Sequence, residues 1–239
     1  MQIFQSMKHL SLYLILLLTL CSSRVDAQEL FWITQGSDSL CFMLPRVGES
    51  GKVAFAGCKN STTLRIPDSV THNGKTYEVT SVIYQALTGN RKITELHVPG
   101  TVKVIESSAF EGCINLKKIS LSEGLAEIGD YVFQDCTSLK DCVLPQTVSK
   151  LGEAVFRGCD HLKSIVLPQC LTEIPYKMFM GCFKLQSVNI PASVKHIGDY
   201  AFCNCTMLRQ LSIPDSAKIE KRALQGCSAA AQYTNRIKQ

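Results

Sequence analysis

Between Phe110 and Cys205 the chain repeats itself every 23 residues. Phe110, Phe133, Phe156, Phe179 and Phe202 keep this spacing. So do Cys113, Cys136, Cys159, Cys182 and Cys205, and Leu116, Leu139, Leu162, Leu185 and Leu208. A fixed period of this length means stacked units, each burying its apolar face only against its neighbours. The chain must therefore fold as a solenoid rather than around one closed core. With 46% hydrophobic residues it has ample material for a continuous apolar interior.

Within each unit the apolar residues set the local structure. The segment L-x-x-I-x-L alternates at its end, which is the pattern of a strand with one buried face. Its copies are Ile93/Leu96/Val98, Leu116/Ile119/Leu121, Leu139/Cys142/Leu144, Leu185/Val188/Ile190 and Leu208/Leu211/Ile213. Pro99, Pro145, Pro168, Pro191 and Pro214 follow, with Ser122 the exception, and lacking an N–H they end the strand. A second apolar pair comes next, as in Leu125/Ile128 and Val194/Ile197. Gly129, Gly152 and Gly198 then mark a bend expected to need positive φ.

The copies degrade at both ends, as terminal repeats do. Leu87 and Asn90 stand where Phe and Cys are expected, and the step from Cys205 to Cys227 is 22 residues. Asn73-Gly74 between strand-like flanks predicts a hairpin with a type I′ turn, looping out of the coil near residues 71–79. Residues 28–62 read as a small β cap of short strands covering the open N-terminal end. The solenoid proper spans 63–227, and residues 228–239 form a patternless tail expected to fray.

Residues 1–27 have the make-up of a secretory signal peptide: Lys8, a short apolar run from Leu10 to Leu20, and Val25-Asp26-Ala27 as the exit. Cleavage is expected after Ala27. The apolar run is shorter than the roughly 20 residues a membrane span requires. Lipidation at Cys21 is disfavoured because Leu20 stands where a small residue is needed. The mature chain is thus expected to be secreted or held at the cell surface or in the periplasm, without a transmembrane segment. Removing this segment takes away Lys8, Arg24 and Asp26 and leaves 23 basic against 19 acidic residues. No Lys/Arg run is present, so nucleic acid is not an expected partner.

The unit F-x-x-C-x-x-L-x-x-I-x-L-P with I-G-x-x-A-F resembles the BspA-type (Treponema-type) leucine-rich repeat proteins over Leu64–Cys227. The lead-in Ile66-Pro67-Asp68-Ser69-Val70 through Val82 is similar to the usual opening of that family. The resemblance implies a leucine-rich repeat solenoid, a right-handed superhelix with a parallel β-sheet on one side and turns or short irregular segments on the other. It also implies a bacterial surface or secreted protein, several of which adhere to host matrix or to other cells.

The cysteines follow the repeat. Cys113, Cys136, Cys159, Cys182, Cys205 and Cys227 occupy one position in successive coils, where a buried thiol acts as a small hydrophobe. Stacked side chains point in parallel, which suits neither the torsion of a disulfide nor four converging zinc ligands. Cys142 takes an inward strand position. Cys41 and Cys58 lie in the cap, where pairing across strands stays open, and Cys170 and Cys203 are expected to be exposed.

No hydrolase, metalloprotease, P-loop or dinucleotide motif occurs. His72, His97, His161 and His196 fall at different phases of the repeat, while Glu127, Asp130, Glu173 and Asp199 are expected to be solvated turn residues. The chain is therefore expected to be no enzyme, to carry no cofactor or metal, and to act as a monomer. Solenoids instead offer an extended surface for binding. Alternation turns Glu95, His97, Lys118, Ser120, Asp141, Val143, Ser164, Val166, Ser187, Asn189, Gln210 and Ser212 outward from the main sheet. This column is the candidate ligand face for a protein or glycan of host matrix or envelope. It lacks the aromatic anchors of binding hot spots. The alternative is a structural component of the cell envelope, packing through the solenoid surface.

Overall fold

In the computed structural model, residues 29–35, 37–44 and 51–237 are described. The signal segment, Ala27 and Cys21 lie outside them. The chain forms a solenoid whose coils each contribute one strand to a first ladder and one to a second. The first ladder runs β4 (Thr63–Arg65), β7 (Glu95–Val98), β9 (Lys118–Leu121), β11 (Asp141–Val143), β13 (Ser164–Val166), β15 (Ser187–Asn189) and β17 (Gln210–Ser212). All its pairings are parallel, in two blocks, β4-β7-β9 and β11-β13-β15-β17. These strands form where the L-x-x-I-x-L segments were read, and β11, β13 and β17 bury only their middle residue.

The second ladder comes from the apolar pairs and their preceding polar residue. Its strands are β6 (Lys75–Val82), β8 (Val104–Ile105), β10 (Glu127–Ile128), β12 (Lys150–Leu151), β14 (Glu173–Ile174), β16 (His196–Ile197) and β18 (Lys218–Ile219). It too falls into two blocks, interrupted between β12 and β14. The cause is chemical. Gly129, Gly152 and Gly198 each donate a backbone N–H to the preceding coil, at 2.8 Å from Ile105, Ile128 and Ile174 O. Pro175 occupies the same place and has no N–H to give to Leu151.

A third side has no regular strands yet is bonded throughout. The Phe110, Phe133, Phe156, Phe179 and Phe202 amides donate to Val132, Val155, Met178, Ala201 and Ala223 O of the next coil, at 2.8–3.1 Å. To present these groups, Ser108, Tyr131, Ala154, Lys177 and Tyr200 adopt φ of 52–59°. A non-glycine residue there costs about 1–2 kcal/mol, which the coil-to-coil bonds offset. The positive φ expected at Gly129, Gly152 and Gly198 is absent, so that expectation is corrected. Those positions are glycine because the neighbouring coil is too close. A Cβ on Gly152 would lie 2.4 Å from Asp130 N, and one on Gly129 2.7 Å from Ser107 N.

The interior is one apolar cluster along the whole stack. The five repeat phenylalanines are fully buried and stack with centroids 5.3–5.9 Å apart and planes within 20°. At the N-terminal end β1 (Leu30–Gln35), β2 (Asp38–Met43) and β3 (Lys52–Lys59) form an antiparallel meander, and β3 then pairs in parallel with β6. The cap thus continues the second ladder. The hairpin of β5 (Ser69–His72) and β6 turns at Asn73 and Gly74, with φ of 49° and 75°, as a type I′ turn requires. It does not loop free of the coil: His72 stacks on Phe31 of the cap at 4.1 Å.

Through Ile237, the described part of the C-terminal tail packs on the last coil, against expectation. Its short 3₁₀ turn, η1 (Ala230–Tyr233), buries Tyr233, whose hydroxyl donates to Leu211 O and accepts from Ile213 N. Arg236 donates to Ile213 O at 3.2 Å and to Ala217 O at 3.3 Å. These contacts satisfy last-coil carbonyls that have no further coil to bond.

Candidate functional site

The first ladder turns the twelve residues of the sequence-derived face to the surface. They are Glu95 and His97 on β7, Lys118 and Ser120 on β9, Asp141 and Val143 on β11, Ser164 and Val166 on β13, Ser187 and Asn189 on β15, and Gln210 and Ser212 on β17. Glu95, His97 and Ser187 are half-buried and the rest exposed. Parallel register aligns them into two rows, with Asp141, Ser164, Ser187 and Gln210 in one and Val143 beside Val166 in the other. Val143 is 64% and Val166 50% exposed. These side chains are little engaged with one another. Ser164 donates to Asp141 at 3.0 Å, and His97 approaches Glu95 at 3.8 Å.

The second ladder behaves differently, because its outward side chains bind coil to coil. Lys150 reaches Glu127 at 2.6 Å, and His196 lies 3.1 Å from Glu220 and 3.9 Å from Glu173. Lys218 also pairs with Glu220, and together with His196 it holds that carboxyl below the usual carboxylate range. The turn acids, expected to be merely solvated, do similar work. Asp130 accepts the Glu153 amide at 2.8 Å, and Asp199 accepts the Arg222 amide at 2.9 Å and its guanidinium at 2.5 Å. Sequence reasoning missed this role. The signal was available, as a short acceptor one residue after Gly129 and Gly198.

The glycine column has a second consequence. The missing side chains at Gly129, Gly152 and Gly198 leave a trough along the solenoid between the outward residues of the second ladder and the turn row beside it. Concavities of about 250 Å³ at Tyr84, Glu106 and Glu127 and about 500 Å³ at Glu153, Glu173 and Tyr176 lie in it. A third, of about 290 Å³, sits where β12 and β14 part. Tyr84 and Tyr176 line the turn side, and Tyr200 meets Tyr176 edge to face at 6.1 Å. The aromatic platforms missing from the first ladder are therefore here.

The cysteines form the expected interior ladder, with an added role as donors. Cys113, Cys136, Cys159, Cys182 and Cys205 direct their thiols at backbone carbonyls of the preceding coil, at 3.1–3.4 Å. For the last four the acceptor is the carbonyl of the preceding coil's repeat Phe (Phe110, Phe133, Phe156 and Phe179), which also takes its own coil's Cys amide. Burial pushes the Cys113 thiol up to about 12 and the Cys41 thiol up to about 11, which removes them from thiolate chemistry. Cys41 faces Gly57 and Cys58 faces Leu40, so the two project to opposite sides of the cap sheet, and both are free. Cys170 is exposed, and its thiol replaces the hydroxyl of Thr147 and Ser193 in bonding the preceding coil, at 3.2 Å from Val148 O. Cys203 is 5% exposed, which corrects the expectation that it lies at the surface. Among the described residues no group of three or more His, Cys, Asp or Glu is placed to hold a metal.

This stack of short parallel strands, with one Phe, one Cys and one Leu per coil, defines a leucine-rich repeat solenoid. The chain belongs to the BspA type leucine-rich repeat family, which it matches in six copies over residues 43–146, 80–209 and 126–235. Among solved structures it is similar to the leucine-rich repeat protein of T. pallidum, at 24% identity, covering 89% of this chain and 94% of that one with a TM-score of 0.71. It is also similar to a leucine-rich repeat protein from Bacteroides ovatus, at 27% identity and a TM-score of 0.60. That match covers 86% of this chain, which spans 57% of the Bacteroides protein. A leucine-rich repeat protein from Eubacterium ventriosum matches 68% of this chain at 26% identity, covering 44% of its own length with a TM-score of 0.53. No curated protein matches the sequence. Among the described residues no helix is long and apolar enough to cross a membrane.

Proposed function

We propose that the protein is an exported, non-catalytic binding or adhesion protein, acting as a monomer, that meets a protein or glycan partner outside the cell through its first-ladder face. One observation carries this reading. Apart from Glu153 and Glu173, the second and third sides commit most of their charged groups to holding the coils together, whereas the outward rows of the first ladder carry almost no coil-to-coil bonds. Side chains such as Lys118, Asn189 and Gln210 are exposed on a rigid sheet and engage no neighbour among the described residues. A rigid, pre-ordered surface loses little entropy on binding.

The test is binding of the mature protein to immobilised host matrix proteins, glycans and envelope extract. The comparison is with the charge-balanced variant Lys118→Ala/Asp141→Ala/Asn189→Ala. These residues are exposed, so the variant keeps the fold. Saturable binding to matrix or glycan that the variant loses is the expected result. Binding confined to envelope material and indifferent to the substitutions would instead mark a structural component of the envelope.

A further inference from the structure

We infer that the trough along the second ladder, centred where β12 and β14 part, is a second interaction surface that holds an extended, lysine- or arginine-rich polypeptide segment. Its floor is built from Leu151, Gly152, Pro175 and Gly198. The glycines expose backbone, and Pro175 leaves Leu151 O without its regular partner. Among the described residues the Thr172 amide also lacks the backbone acceptor that its equivalent Lys195 has. The central concavity, about 500 Å³, therefore combines an apolar floor with the idle Leu151 carbonyl, and the idle Thr172 amide lies in the adjoining concavity where β12 and β14 part.

The walls select the sign of the ligand. Five carboxylates line this concavity (Asp130, Glu153, Glu173, Asp199 and Glu220) against one lysine and one histidine. The lysine, Lys150, is already taken by Glu127 at 2.6 Å. Glu153 is in no ion pair among the described residues, and Glu173 has only His196, at 3.9 Å. Lys195 leans away to Ser216, while Lys218 is bound to Glu220 and Arg222 to Asp199. The centre of the trough thus keeps uncompensated negative charge beside open space. Tyr176 adds an aromatic wall, although the chain's own Lys177 already covers its ring at 4.7 Å, so the attraction for a basic segment rests on Glu153 and Glu173.

The trough also has the right form for an extended chain. It crosses successive coils, which stack about 4.8 Å apart, so its central stretch of four coils accommodates about five or six extended residues. This surface is independent of the first-ladder reading. The two lie on different ladders, and either can fail without the other.

The test uses a fluorescein-labelled acetyl-hexalysine amide as probe, with anisotropy read on the mature protein at low salt and at about 150 mM salt. Wild type should bind it saturably, more weakly at the higher salt because the contacts are ionic. Glu153→Lys/Glu173→Lys, both at exposed positions, should weaken binding at least tenfold, and Glu153→Gln/Glu173→Gln should do so in part. Lys118→Ala/Asp141→Ala/Asn189→Ala should leave it unchanged. Three results would overturn the inference: no saturable binding at low salt, equal binding by Glu153→Lys/Glu173→Lys, or displacement by a cationic glucosamine oligomer that binds more tightly than the peptide.

Discussion

At the scale of single residues, the positions that recur most faithfully are those that hold one coil to the next. Phe156 is the middle member of a column of five rings, fully buried and stacked at 5.7 and 5.9 Å on Phe133 and Phe179. Phe156→Ala should cost about 3–5 kcal/mol, the range for truncating a buried aromatic. Urea unfolding monitored by circular dichroism checks this, and a loss under about 1 kcal/mol would mean the column is not core. The Phe, Cys and Leu columns were legible in the sequence because burial recurs with the period. Gly152 was legible as a constrained position but not for the right reason. Its restriction is that a Cβ there would lie 2.4 Å from Asp130 N of another coil, which no local pattern reveals. Cys203 was also misjudged: its equivalents Glu111, Arg157 and Met180 are half-buried, yet Cys203 is 5% exposed.

At the scale of elements, the two ladders are not continuous. The first parts between β9 and β11, and the second between β12 and β14. The coil carrying β11 and β12 is therefore strand-paired forward on one side and backward on the other, while the phenylalanine side continues unbroken. Pro175 accounts for the second break. The first has no equivalent substitution that explains it. Hydrogen exchange should register the second break directly. The Thr172 amide should exchange at least about tenfold faster than that of Lys195, which donates to Thr172 O at 2.7 Å. Equal protection would mean that the ladder closes there in solution. The first ladder was readable from alternation. The second was visible only as a spaced apolar pair, because strands of two residues carry no period. The trough was not legible at all, since it arises from missing side chains in one row and acids in two others. The ordered tail also went unread, because a single Tyr and a single Arg form no pattern.

At the scale of the whole molecule, the chain is divided by duty. One interior column set and two bonded sides stabilise the stack, and the first-ladder face and the trough beside the second ladder are left for partners. This division depends on reading the cysteines as parts of the stack rather than as a disulfide framework of an exported protein. Their positions support that reading. The repeat thiols point at carbonyls of the preceding coil, and Cys41 and Cys58 point apart. The most direct test is thiol titration of the mature protein, unfolded in denaturant without reductant. All eleven cysteines of the described residues are free in the structure. About eleven reactive thiols are therefore expected per chain beginning at Gln28. A count near zero would contradict this, because the repeat cysteines would then be cross-linking coils rather than packing between them.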